Sequence, residues 1–76
     1  METITWSASN AHSYLNGQRE AATMWRAIRD AKRYANNELG GEGTITIYQA
    51  GRPVRKMGAG LLFGTGRCSW INLPIG

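Results

Sequence analysis

The sequence predicts a small α+β domain in which one amphipathic helix packs on one face of a small antiparallel β-sheet. Two observations carry that expectation. Thr23 to Leu39 is a run of good helix formers without Gly or Pro, and segments of strictly alternating apolar residues lie on both sides of it. Each element offers one apolar side, and laying the helix across the sheet buries both. At 76 residues the chain is read as a single domain, residues 1–76. A chain of this size buries only about 60% of its unfolded surface, so the core is thin.

The first strand is expected over Thr3–Ala8, where Ile4, Trp6 and Ala8 fall on one face and hydroxyls on the other. Between residues 9 and 22, Asn10 and Asn16-Gly17 signal turns, and Ser13-Tyr14-Leu15 can pair briefly back onto that strand. Thr23 fits a helix N-cap, its hydroxyl accepting from a first-turn amide. A longer helix beginning after Gly17 and running through Gln18, Arg19 and Glu20 is the alternative. Met24, Ile28, Ala31, Ala35 and Leu39 recur at spacings of three and four, flanked by Ala27 and Tyr34. Gly40-Gly41 supplies the left-handed exit.

Gly43–Gln49 alternates again and is rich in β-branched residues. Ala50-Gly51-Arg52-Pro53 reads as a turn and Val54–Met57 as the return strand, giving a β-α-β-β order. Gly58, Gly60, Gly64 and Gly66 punctuate the stretch after it, and Arg67–Ile71 predicts one more short strand before Pro74. The expected core is Ile4, Trp6, Ile28, Ala31, Ala35, Leu39, Ile45 and Ile47.

Composition narrows function by exclusion. An apolar share of 42% with 18% charged residues is globular rather than disordered. No apolar run approaches the ~20 residues of a membrane span, so no membrane partner is expected. The lone Cys68 excludes an internal disulfide, and with the lone His12 it is too little for a zinc site. With no basic leader at Met1-Glu2-Thr3-Ile4, the expectation is an intact product of a reducing cytoplasm, without metal or cofactor.

Catalytic motifs are also missing. The late glycines match neither a phosphate-binding loop nor the dinucleotide fingerprint, and they fit turns and bulges better. Glu2, Glu20, Asp30, Glu38 and Glu42 are scattered, with Asp30 spaced to pair with Arg26 and Arg33. His12 reads as a loop residue and Cys68 as small core filler in a strand. No catalytic residue is therefore assigned, and the chain is read as non-enzymatic.

The basic residues are the best lead. Lys and Arg outnumber Asp and Glu nine to five, a formal charge of +4. Arg26, Arg29 and Arg33 fall opposite the apolar stripe, with Lys32 nearer its edge. Arg52, Arg55 and Lys56 in the hairpin and Arg67 in the last strand add to them. Arginine predominates, and its planar fork suits carboxylates, phosphates and protein interfaces. A solvated face that keeps the protein soluble is the competing reading. Trp6 and Trp70 are expected in the core. Trp25 borders the basic stripe, either as cover for the core edge, which is favoured, or as an exposed interface anchor.

The run Ala31-Lys32-Arg33-x-Ala35, then Gly43-Thr44 opening an alternating strand, a turn and a Trp-ending strand resembles a group of small phage proteins. These are strand-helix-strand-strand anti-CRISPR proteins that inhibit type I (Cascade-type) surveillance complexes, and the similarity covers roughly residues 23–70. The chain departs from that pattern in the loop from Ser9 to Ala22 and in the Gly58-to-Gly66 segment. The resemblance implies an inhibitor that occupies a surface needed for target DNA, with Cas subunits as partner. Nucleic-acid phosphates would be a secondary contact, and the chain would act as a monomer or small homodimer in the host bacterial cytoplasm. The same pattern is also similar to small bacterial and phage domains of unknown function. Two other classes stay open: a basic nucleic-acid-binding module, and an accessory protein of a phage assembly.

Overall fold

A computed structural model describes residues 3–75. Among them the elements run β1 (Ile4–Ser9), β2 (Arg19–Ala21), α1 (Met24–Glu38), β3 (Gly43–Gln49), β4 (Arg52–Ala59) and β5 (Ile71–Leu73). One turn of 3-10 helix at Leu61–Phe63 separates β4 from β5. The sheet order is β2-β1-β3-β4-β5 and every neighbouring pair is antiparallel. The α+β architecture is as the sequence predicts, with a fifth strand added before the helix.

Alternation and register together build the core. Trp6 stands opposite Ile47 and Ala8 opposite Ile45, while Ile45 stands opposite Met57 on its other side. All five are buried on the face that carries α1. The helix meets them with Ala27, Ala31 and Ala35, each fully buried, while Met24, Ile28 and Tyr34 flank as partly buried neighbours. This turns the expected seam, because Ile28 and Ile4 are only partly buried and Ala27 is central. Packing explains the rotation: the sheet below is filled by Trp6, Ile45 and Ile47, so the helix approaches with its smallest side chains.

Local chemistry fixes the helix ends. Thr23 is extended at φ −141° and its Oγ1 accepts from the Arg26 amide at 3.1 Å, so the shorter helix is the one formed. The longer alternative fails because Arg19–Ala21 pair with Ile4–Trp6 instead. At the other end Gly40 and Gly41, at φ 72° and 78°, carry the chain out while the Leu39 and Gly41 amides both donate to the Ala35 carbonyl. The expected return of Tyr14 and Leu15 is present: Tyr14 bridges to Ser9 and the Leu15 amide donates to Ala8 at 2.8 Å.

The β3–β4 turn is shorter than predicted. Only Ala50 and Gly51 are left-handed, at φ 53° and 79°, and Arg52 and Pro53 already belong to β4. Register slips between Ile47 and Tyr48, which face Arg55 and Pro53, so Val54 is the extra residue of a bulge. Pro53 is tolerated there because β5 pairs only with Lys56–Gly58.

The last strand is also displaced. It covers Ile71–Leu73 rather than Arg67–Ile71, because Arg67-Cys68 forms a turn in which Cys68 is exposed at φ 64° and its amide donates to Gly41. Cys68 is therefore not core filler. Trp70 precedes the strand, partly buried, and its indole N–H donates to Asn36 Oδ1 at 3.0 Å, tying the segment to the helix. Among the described residues no helix is long and apolar enough to cross a membrane.

Candidate interaction surface

Because the alanine seam faces the sheet, the opposite side of α1 is fixed. Arg26, Arg29 and Arg33 are exposed on it and Lys32 is half-buried at its margin, as the spacing predicts. Trp25 corrects the core-edge expectation. At about 100° per residue it lies about 160° around the helix from Ala27. Turning the seam onto Ala27 therefore moves Trp25 outward, where it is 67% exposed.

The pairing of charges differs from expectation as well. Asp30 engages its neighbour Arg29, with Nη2 at 3.0 Å and Nε at 3.1 Å from one carboxylate oxygen, rather than Arg26 or Arg33. Arg29 can reach it because its side chain folds back over Trp25, with Cζ 5.1 Å from the ring centroid. Arg26 and Arg33 form no ion pair with the described residues. The first turn of α1 carries Arg26 and no acidic residue, and the last turn carries Glu38 and no basic one, so these charges oppose the helix dipole. Arg26 thus adds its charge to the positive end of the helix dipole, beside Trp25.

The other predicted residues divide. Arg52, beside the hairpin turn, stands opposite Gln49, whose β1 partner Ile4 also pairs with Ala21 just ahead of α1. Arg52 therefore lies at the end of the sheet where the helix begins. Arg55 shares the helix-bearing face, since it stands opposite the core residue Ile47, and it donates weakly to Asn72 Oδ1 at 3.4 Å. Lys56 faces Thr46 on the other side of the sheet, and Arg67 pairs with Glu42 at 3.5 Å beside the helix exit. Neither joins the helix cluster.

Sequence reasoning missed Arg19. It stacks 5.2 Å from the Tyr34 centroid and 5.7 Å from that of Trp6, and with Arg33 it lines an open groove of about 340 Å³. Its only signal was its place opposite Trp6, which a strand assignment for residues 19–21 would have exposed. A second groove, of about 450 Å³, runs between Ser9–His12 and Leu61–Phe63 and includes Glu42. His12 lines it and Cys68 does not. Among the described residues no three His, Cys, Asp or Glu side chains gather into a metal-binding group. No family model, curated protein or solved structure matches the chain.

Proposed function

We propose that this protein is a non-enzymatic, phage-type inhibitor that docks on a type I (Cascade-type) CRISPR surveillance complex and blocks target DNA by sterics and electrostatics. The partner follows from the sequence resemblance. The observation that carries the docking mode is the exposed face of α1, where Arg26 and Arg33 form no ion pair with the described residues and Trp25 stands out beneath Arg29. Arginine and tryptophan are the residues most often found to dominate binding at protein interfaces. The acceptor is an acidic or backbone-rich surface of a Cas subunit, with phosphates as a secondary contact, in the host bacterial cytoplasm. Co-purification with complexes of several type I subtypes, followed by target-DNA binding, tests this. Retention with loss of DNA binding is expected, and no retention by any complex ends the proposal.

A second reading has its own observation. An exposed indole next to Arg26, which forms no ion pair with the described residues, also suits stacking on a base with phosphates alongside. A nucleic-acid module would bind free DNA with a log–log salt slope near −0.9 per phosphate contacted on duplex.

A further inference from the structure

Asn16 is the only asparagine of the chain followed by glycine, and both residues lie exposed in the loop ahead of β2. Gly17 sits at φ 85°, and a Cβ built there would meet nothing within 4 Å, so the space around the pair is open. None of the described residues hydrogen bonds to the Asn16 side chain or to the Gly17 amide. Fixed points lie on either side: the Leu15 amide donates to the Ala8 carbonyl at 2.8 Å, and the Thr5 hydroxyl donates to Gln18 Oε1.

The other asparagines are held. Asn10 accepts from the His12 and Ser13 amides and donates to the Leu39 and Glu42 carbonyls. Asn36 and Asn37 lie within α1, whose backbone amides are engaged along the helix, and Asn36 also accepts from the Trp70 indole. Asn72 lies in β5 and accepts from Arg55. Each is followed by a residue with a side chain, which crowds the approach of the next backbone nitrogen to the asparagine carboxamide.

The geometry points to Asn16 as a self-modifying site, where the amide converts to aspartate and isoaspartate through a cyclic imide. The Gly17 backbone nitrogen gives its proton to solvent base and attacks Asn16 Cγ. Nδ2 takes up a proton as the Cγ–Nδ2 bond breaks, and leaves as ammonia. Water then opens the ring. Addition at Cγ restores the ordinary backbone with an aspartate side chain. Addition at the Asn16 backbone carbonyl carbon leaves the chain running through Cγ, as isoaspartate. One water is consumed and one ammonia released, with no oxidant or reductant. Either product lowers the formal charge of +4 by one, and the isoaspartyl form inserts a methylene into the main chain between the Leu15 and Gln18 anchors. The reaction needs neither the arginine face nor a partner, so it stands or falls apart from the docking proposed above.

Incubation of the full chain at neutral and mildly alkaline pH, below its melting temperature, followed by peptide mapping, tests this. The peptide carrying Asn16 should gain the mass of an amide-to-acid exchange before any other. It should do so faster at the higher pH, because the attacking nitrogen must lose its proton. Isoaspartyl methyltransferase with S-adenosylmethionine should label that peptide. Asn16→Gln, which keeps the backbone, should carry no label there, and Gly17→Ala should slow conversion several-fold. The native rate should stay close to that of the chain unfolded in guanidinium chloride, since the fold ties down none of the reacting atoms. Conversion led by Asn10, Asn36, Asn37 or Asn72, no conversion at all, or an undiminished rate in Gly17→Ala would overturn the inference. So would a native chain protected by an order of magnitude relative to the unfolded one.

Discussion

The guanidinium of Arg29 lies over the ring of Trp25, 5.1 Å from its centroid and one helical turn along the same exposed face. Asp30 holds that guanidinium from the side at 3.0 Å, so the stack is braced rather than free. An exposed indole fixed in this way loses little conformational freedom on binding, which favours it as an anchor.

Trp25→Ala and Arg29→Ala should each weaken capture of the surveillance complex by about tenfold or more, a loss of at least ~1.4 kcal/mol. Neither side chain fills the core, so folding stability should change by less than about 0.5 kcal/mol. Binding assays run beside thermal melts separate the two effects. A parallel fall in stability would make the pair structural.

The Trp70–Asn36 hydrogen bond ties the segment before β5 to the last turns of α1. Asn36→Ala should cost about 0.5–1.5 kcal/mol in chemical denaturation. Trp70→Phe should add little on top of it, because both changes remove the same bond.

At φ 53° Ala50 occupies a left-handed position with an L side chain. Ala50→Asn places a residue that tolerates this conformation beside Gly51 and should raise stability by roughly 0.5–1 kcal/mol. An unchanged or lowered urea midpoint would contradict the assigned turn.

Gly58→Ala brings a methyl within 2.8 Å of Phe63 and 2.9 Å of Leu73. Both neighbours are packed side chains, so the overcrowding should cost about 1–3 kcal/mol and shift the Phe63 ring resonances. A neutral substitution would mean that Phe63 does not rest there.

What the sequence disclosed depended on how local each signal was. The α1 caps, the β3 bounds and the outward arginines follow from spacing and from Thr23, Gly40 and Gly41, all within one or two turns of the residues they govern. The strand at Arg19–Ala21 is three residues long and exists only because β1 offers an edge, which no local pattern states. The exposure of Trp25 likewise depends on which residue centres the seam, and the bulk of Trp6, Ile45 and Ile47 across the interface decides that. Arg67-Cys68 has strand-like neighbours, yet the bond from the Cys68 amide to Gly41, far away in sequence, makes it a turn.

The most direct measurement is the affinity of a purified type I surveillance complex for the native chain and for Arg26→Glu/Arg33→Glu, with thermal melts on both. Tight binding by the native chain, lost in a charge-reversed variant that melts at the same temperature, is the predicted result. Equal binding by the two proteins, or none by the native chain, would contradict docking through the arginine face of α1.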